Sequence, residues 1–363
     1  MEQVAAAGGP PPATVSYAPE PLRFTGTGSG YFGIWIVNLL LTIVTLGIYS
    51  AWAKVRRLQY FYRHTELAGS SFDFHGSAAR ILLGRIIAVI LLLLYNFSIQ
   101  MRSIRTLAAV LVGLALLMPW LLRNSFRFRL YNASWRGTRF HFKGSLGGAY
   151  RVFLLNGILA LITLYILAPF THQRIKAWQH GNSWFGRTPF RFQASAGEFY
   201  GVYLLTLGVM VAAGVILGVA GIGGALAGLM ASSKGGHADP RAVMRALLLF
   251  YGAFILVALV VGPVFRALIT NLIWNNTRLG EHRIECRISP WKLAWIGVSN
   301  LVLVVVTLGM FIPWAMVRLT RYQVECMRLL PASDLQEFVD SEPEFVGAAG
   351  EEAASLFDFD IGL

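Results

Sequence analysis

A pattern of residues recurs up to five times along this chain, running each time from the end of an apolar helix through a basic segment to a short F-x-F strand. The helix-ending positions are Ala51, Pro119, Pro169, Pro263 and Pro313. Twenty-one and twenty-three residues later stand Phe72/Phe74, Phe140/Phe142, Phe190/Phe192 and Ile284/Cys286, without a gap. A fragment of the same strand, Leu22 and Phe24, precedes the first helix. Registers kept in this way predict a chain built from internal repeats.

Polar residues mark the helices of alternate copies. Asparagines stand thirteen residues before the helix ends at Asn38, Asn156 and Asn300, and threonines stand six before them at Thr45, Thr163 and Thr307. Copies two and four lack these marks, so the period is a pair of units. Amides inside a membrane must find hydrogen-bond partners. The six residues are therefore candidates either to line a pathway or to tie helices together.

Composition places the chain in a membrane. Its 363 residues are 56% apolar, and the mean hydropathy is +0.58. Stretches of about 20 nearly uncharged residues are long enough to cross a bilayer as helices. The predicted spans are 31–50, 80–98, 106–122, 149–170, 198–230, 242–270 and 292–313.

Basic residues concentrate in the segments between the spans. Residues 1–330 carry a surplus of 22 positive charges, whereas residues 331–363 contain nine acidic residues and no Lys or Arg. Basic and aromatic side chains at a membrane surface attract anionic lipid head groups and are typical of interface anchoring, so membrane lipids rather than nucleic acid are the expected partners. The candidate head-group residues are Lys54, Arg56, Arg57, Arg127, Arg174, Lys176, Arg318 and Arg321.

Several of these segments resemble the YjgN family of bacterial inner-membrane proteins, a family defined by a domain of unknown function. The likeness is carried by FGIWIVNLLLTIVTLGIYSAWAKVRRLQYFYRHTELAGSSFDFHG, RGTRFHFKGSLGGAYRVFLLN, NLIWNNTRLGEHRIECRISPWKLAWIGVSN and TLGMFIPWAMVRLTRYQVE, and it covers roughly residues 22–330. The resemblance implies a multi-pass protein of the bacterial inner membrane. It implies no activity, substrate or catalytic residue.

The predicted fold is an all-α polytopic membrane protein with about seven transmembrane helices in internal repeats and short interfacial F-x-F strands. Residues 1–21 are expected to form a flexible tail, 22–330 the transmembrane domain, and 331–363 an acidic, disordered tail. Three spans for each pair of units would invert successive copies, with the N-terminus outside and the acidic tail inside. The alternative places every basic segment on the cytoplasmic side, with some spans re-entrant.

Two functions follow from these patterns. The first is a small-molecule or lipid transporter or channel built from inverted repeats, with Glu198 as a candidate coupling carboxylate at the start of a span. The second is a non-transporting scaffold or assembly factor that binds anionic lipid or partner proteins. No P-loop, H-E-x-x-H, nucleophile elbow or CxxC motif occurs, so the sequence predicts no catalytic residue, metal site or cofactor.

Overall fold

The computed structural model describes residues 17–232 and 240–340. The helices are α1 (Gly28–Val44), α2 (Ser50–Arg63), α3 (Ala78–Gln100), α4 (Ile104–Tyr131), α5 (Leu146–Ala149), α6 (Asn156–Ile162), α7 (Ala168–Gly181), α8 (Ala196–Ser232), α9 (Pro240–Asn275), α10 (Pro290–Val306), α11 (Ile312–Glu325) and α12 (Leu335–Asp340). A π-helical segment, Tyr150–Leu155, joins α5 to α6. The predicted 1–21 and 331–363 tails lie partly outside the described residues.

Short strands separate the helices. They are β1 (Glu20–Pro21), β2 (Arg23–Phe24), β3 (Thr65–Leu67), β4 (Ser70–Phe74), β5 (Ala133–Trp135), β6 (Thr138–Phe142), β7 (Ser183–Phe185), β8 (Thr188–Phe192), β9 (Thr277–Leu279), β10 (His282–Cys286) and β11 (Met327–Leu330). Helices pack in sequence as five hairpins: α1–α2, α3–α4, α5–α7, α8–α9 and α10–α11. A pair of strands follows each of the first four hairpins, and β11 follows the fifth.

The strands form one antiparallel sheet that closes into a ring. Its order is β1-β11-β10-β9-β8-β7-β6-β5-β4-β3-β2. β1 and β2 are the two halves of one extended segment: Glu20 pairs with Leu329 of β11, and Phe24 pairs with Thr65 of β3. The N-terminal segment thus supplies the strand that completes the fifth pair. Because the two outermost strands of the sheet belong to this one segment, neither end of the sheet is left as a free edge.

Apolar side chains from every strand pair fill the inside of the ring. The buried members are Leu67, Trp135, Phe185, Leu279 and Leu329, one from each pair, and Leu22, Phe72, Phe140, Phe190 and Ile284 pack against them. Phe185 is fully buried, and the centre of its ring lies 5.0 Å from that of Phe140 and 5.9 Å from that of Trp135. Aromatic pairs at such distances add to the stability gained from burial. The ring is therefore a packed core.

The second aromatic of each F-x-F strand joins the ring to the helices. Phe74 packs against Ala51 and Val55 of α2 and Phe128 of α4. Phe24 and Cys286 occupy corresponding positions in two other helix-facing clusters. Both residues of the motif point to the same face of the sheet, because residues two apart in a strand do so. The first residue fills the inside of the ring, and the second contacts the helix ends.

The helix α12 packs on the apolar core of the ring. Leu335, Val339 and Phe338 contact that core, and Phe338 stacks on Phe185 at 5.9 Å. The guanidinium of Arg136 donates to Gln336 Oε1 at 2.9 Å, which fixes α12 to the turn between β5 and β6. Part of the sequence expected to be a disordered tail is therefore ordered here; residues 341–363 lie outside the described residues.

The hairpins differ in length. Among the described residues, four helices or helix segments are long and apolar enough to cross a membrane: Ala78–Gln100, Ile104–Tyr131, Ala196–Val215 and Val257–Asn275. They belong to the second and fourth hairpins. The first, third and fifth hairpins have shorter apolar arms, and their tips carry no charge. Leu46, Leu164 and Leu308 at these tips are almost fully exposed, as expected of side chains that face hydrocarbon.

Threonine closes the turn at each short tip. Thr307 Oγ1 donates to Leu303 O at 2.7 Å and accepts from Phe311 N at 2.9 Å, and Thr45 makes the same two bonds. Leu46 and Gly47 take positive φ values of 49° and 93°, which reverse the chain. Backbone groups at the tip are thus bonded within the hairpin, a requirement for a turn placed in lipid.

The prediction of an all-α protein with about seven transmembrane helices is wrong. The described residues contain an eleven-stranded sheet and four candidate spans. A hydropathy window measures composition and does not detect a reversal of the chain. The predicted spans 31–50, 149–170 and 292–313 each include one arm of a short hairpin, its tip and the start of the next arm.

The predicted inverted arrangement, with the N-terminus outside and the acidic tail inside, is also wrong. All strand pairs belong to one sheet and so lie at the same end of the helices. The N-terminal segment pairs directly with β11, which places both ends of the described chain on one side. The one-sided alternative agrees with this topology, and the inverted-repeat argument for transport loses its basis.

Candidate functional site: two cavities at corresponding positions

A cavity of about 220 Å³ lies between α1, α2 and α3. We call it the basic cavity. Besides Tyr31 and Trp35, its lining has six polar residues: Asn38, Thr42, Ser50, Lys54, Arg57 and Arg85. The two arms of the first hairpin supply five of these residues, and the adjacent spanning helix α3 supplies Arg85. The cavity therefore forms only when the hairpin packs on α3.

Positive charge dominates the basic cavity. Burial, together with repulsion from Arg129, Arg85 and Arg57, lowers the pKa of Lys54 to about 8. No acidic residue is among the residues that line the cavity. Cations brought together in a partly dehydrated place without a carboxylate are complementary to an anion.

Hydrogen bonds hold the basic cavity to the hairpin tip. The Arg85 guanidinium donates to Ser50 Oγ, and Ser50 Oγ donates to Gly47 O. Asn38 is buried, and its Oδ1 has no hydrogen-bond partner. By contrast, Asn300 in the fifth hairpin donates to Ala315 O at 3.1 Å and accepts from Arg318 at 3.2 Å. Asn38 Oδ1 is thus a buried acceptor that a ligand with a hydroxyl or N–H donor could satisfy.

The basic residues lie at a common depth. Arg85 is seven residues from the start of α3, and Lys54 is nine residues from the end of α2. At the α-helical rise these positions are about 10 and 13 Å from the ring end of their helices. Arg174 and Arg318 each stand seven residues from the ring end of α7 and α11. This level, where charged side chains end and uncharged helix begins, is expected to coincide with the lipid head groups.

A second and larger cavity, of about 600 Å³, lies between α4, α6, α7 and α8. We call it the apolar cavity. Eight of the ten residues that line the basic cavity have a counterpart 118 positions later that lines this one. Thr42, Ser50, Lys54, Arg57 and Arg85 correspond to Ala160, Ala168, His172, Ile175 and Tyr203. The two cavities therefore occupy the same place in the first and third hairpins, and they differ in charge.

The polar groups of the apolar cavity satisfy each other. His172 Nδ1 and Tyr203 Oη are 3.0 Å apart, and Thr171 Oγ1 donates to Asn156 O at 3.1 Å. Burial and the nearby Lys176 ammonium lower the pKa of His172 to about 4, so the imidazole is neutral at physiological pH. Among the described residues that line this cavity, none is Lys, Arg, Asp or Glu.

The candidate residues from the sequence occupy several different places. Lys54, Arg57 and Asn38 meet in the basic cavity. The threonines lie at the hairpin tips, as described above. Glu198 lies at the start of α8, outside both cavities, where its carboxylate accepts from Ser195 N at 2.6 Å. It completes a helix cap.

The remaining candidate head-group residues contact protein groups. The guanidinium of Arg56 lies 5.8 Å from the centre of the Tyr49 ring, and that of Arg174 lies 5.0 Å from the centre of the Phe170 ring. Lys176 donates to Gln179, Arg321 donates to Gly26 O, and Arg127 lies on α4. Arg318 binds Ser299 and Asn300.

Sequence reasoning missed Arg85. The residue stands near the start of a predicted span, where a single arginine is usually explained by a side chain that reaches to the interface. Its counterparts at the same register are Phe153, Tyr203 and Gly297. A comparison of the repeats could have found Arg85, because the other three copies have an uncharged residue at this position. Within the described residues, no group of three His, Cys, Asp or Glu side chains could hold a metal ion.

The four long apolar helices among the described residues are those of a membrane protein, and the ring of strands lies at one end of them. The family model described as bacterial protein of unknown function (DUF898) matches residues 19–356, and the chain belongs to this family. It is 29% identical over 147 residues to the inner membrane protein YjgN of Salmonella typhimurium, and 32% identical over 143 residues to that of Escherichia coli O157:H7.

These alignments cover 40% and 38% of this chain, and 37% and 35% of the respective relatives. The chain is thus aligned with little more than a third of the length of these proteins. No solved structure matches the chain.

Proposed function

We propose that this protein binds the phosphate group of an anionic phospholipid in the basic cavity. The observation that carries the proposal is the convergence of Lys54, Arg57 and Arg85 at one cavity that has no acidic lining residue. Anion binding would offset the mutual repulsion of these cations, which otherwise disfavours their packing together. A hydroxyl of the lipid head group could donate to Asn38 Oδ1, which otherwise has no partner.

The size and depth of the cavity favour a phosphate group that is attached to a lipid. At about 30 Å³ per water molecule, 220 Å³ corresponds to roughly seven waters and fits a phosphate ester. A soluble anion could satisfy the same chemistry. The position near the head-group level, between helices that continue into apolar segments, favours a lipid that enters from the side.

We infer that the ring faces the cytoplasm of an inner-membrane protein. Cytoplasmic loops of membrane proteins are enriched in Lys and Arg. The ring and the adjoining helix ends contain most of the basic residues, whereas the described helix ends far from the ring carry four: Arg102 and Arg105 in the second hairpin, and Arg241 and Arg245 in the fourth. The basic cavity would then face the cytoplasmic leaflet, whose anionic lipids give it a negative surface potential.

We also infer that the two cavities arose by internal duplication. The constant offset of 118 residues between their linings supports a common architectural origin. Within this architecture the first hairpin carries cations and the third carries neutral side chains. A lipid-binding membrane component is the function that this arrangement supports best, which is close to the scaffold hypothesis.

The experiment is lipid binding by the purified protein in nanodiscs that contain phosphatidylglycerol in a phosphatidylcholine background. Loss of one charged hydrogen bond costs about 1.5–3 kcal/mol, so Arg85→Gln and Lys54→Gln should each weaken phosphatidylglycerol retention about 10- to 100-fold. The matched control is Arg191→Gln, which makes the same charge change at an exposed site on β8.

The arms of this experiment separate the two sources of phosphate. Competition by added inorganic phosphate or glycerol phosphate at millimolar concentration would identify a soluble anion as the ligand. Equal losses in Arg85→Gln and Arg191→Gln would mean that general surface charge holds the lipid, and the proposed site would be wrong.

A further inference from the structure

The apolar cavity has the features of a lipid site for a different class of lipid. It falls in the size range of small-molecule sites, which are mostly apolar with a few placed polar groups. It opens beside Ile158, Leu161 and Tyr165, whose side chains are exposed on the membrane part of the third hairpin. The medium next to the opening is therefore lipid hydrocarbon.

The polar and apolar ends of this cavity are arranged along the membrane normal. Tyr203 is seven residues from the start of α8, and His172 is nine residues from the end of α7. Both are about 10 to 13 Å from the ring end of their helices, at the depth of Lys54 and Arg85. Leu161 and Tyr165 lie at the hairpin tip, toward the bilayer centre. A lipid with its head toward the ring and its chain toward the tip would match this order.

We propose that the apolar cavity binds an uncharged lipid of the diacylglycerol class, whose hydroxyl or ester oxygens exchange hydrogen bonds with His172 and Tyr203. The absence of charged residues from the lining excludes compensation for a phosphate, since a buried charge without a partner is costly. The imidazole and the phenol can each donate or accept, and so suit a neutral head group.

The local backbone provides the space for this lipid. Gly157 and Ala160 replace Leu39 and Thr42 of the basic cavity. A Cβ at Gly157 would meet no atom within 4 Å. The preceding segment, Tyr150–Leu155, is π-helical, a rare conformation that is frequent at functional sites, and it contributes Phe153 to the cavity wall.

The test is photolabelling of the protein in nanodiscs by a diacylglycerol that carries a diazirine in one acyl chain. We expect the label on the peptides that contain Ile158, Leu161 or Tyr165, because the acyl chain lies toward the hairpin tip. Gly157→Leu should place a side chain inside the cavity, obstruct the lipid there and lower labelling by about tenfold. The control is Gly113→Leu on α4, which also has open space around its Cβ but does not line the cavity.

A second variant covers the case in which Gly157→Leu fails to fold. Tyr203→Phe removes one hydroxyl and should reduce diacylglycerol labelling while leaving phosphatidylglycerol retention by the basic cavity unchanged. Labelling that is the same in wild type, Gly157→Leu and Tyr203→Phe would overturn the proposal. So would equal labelling of these peptides by a phosphatidylglycerol probe. Because the basic cavity is measured with its own lipid, failure at one site leaves the other proposal standing.

Discussion

The titration of Lys54 gives the sharpest prediction for the basic cavity. Without ligand its pKa is about 8, because burial and three neighbouring arginines disfavour its charged form. A bound phosphate would offset that repulsion and return the pKa toward its ordinary value of 10.5. Between these two values the complex takes up one proton when it forms. The dissociation constant for phosphatidylglycerol should therefore be nearly constant below pH 8 and rise about tenfold per pH unit above it.

The stability of the unliganded protein should change in the opposite direction. The unfolded chain keeps the ordinary lysine pKa, so above pH 8 it binds more protons than the folded protein does. The free energy of unfolding then increases with pH between about 8 and 10.5. Weaker lipid binding in that range would thus be separable from alkaline unfolding by a thermal-unfolding scan of the same samples.

The matched variant is Lys54→Arg, which keeps the positive charge and does not titrate in this range. Lipid retention in nanodiscs, measured from pH 7 to 10, should fall for the wild type and stay flat for Lys54→Arg. If Lys54→Arg showed the same fall, another group would be responsible. If the wild type were flat, Lys54 would not contact the ligand.

Three further predictions concern the fold. Phe185→Ala at the centre of the ring should lower the free energy of unfolding by about 3–5 kcal/mol, whereas Leu146→Ala at an exposed position should have little effect; thermal unfolding measures both. Thr307→Val should lower the free energy of unfolding by about 1–3 kcal/mol, because the Phe311 amide at the tip loses its acceptor. Thr307→Ser keeps the acceptor and should keep the stability in the same assay. Single cysteines at Arg187 and Ser103, with the two native cysteines replaced, should label from opposite sides of the membrane; labelling from one side would contradict the one-sided ring.

The sequence predicted the positions of several strands. The spacing of the Phe pairs located β4, β6 and β8, and the Leu22/Phe24 fragment coincides with the segment that closes the sheet. These signals are local, because a strand of alternating side chains has a period of two residues. The pairing of β4 with β5, and of β8 with β9, joins segments separated by a whole hairpin. A hydropathy profile does not detect such pairing.

The candidate site could be predicted only in part. Lys54 and Arg57 were identified from their charge, and Asn38 from its register. Their convergence with Arg85 depends on the packing of the first hairpin against α3, a tertiary contact. The apolar cavity was missed because its wall consists of ordinary small and apolar residues. The aligned register of the two cavities became informative only after their positions were known.

The closure of the ring by its first and last strands has a consequence for biosynthesis. Glu20 and Leu329 pair although they are 309 positions apart in the sequence. Helical hairpins leave the ribosome in order, but the sheet cannot close until β11 has been made. During that interval the growing sheet exposes two unpaired edges, which are prone to pair with other chains. A truncation between residues 325 and 327 would thus leave a protein that has α1 to α11, lacks β11 and α12, and has a sheet open at both edges.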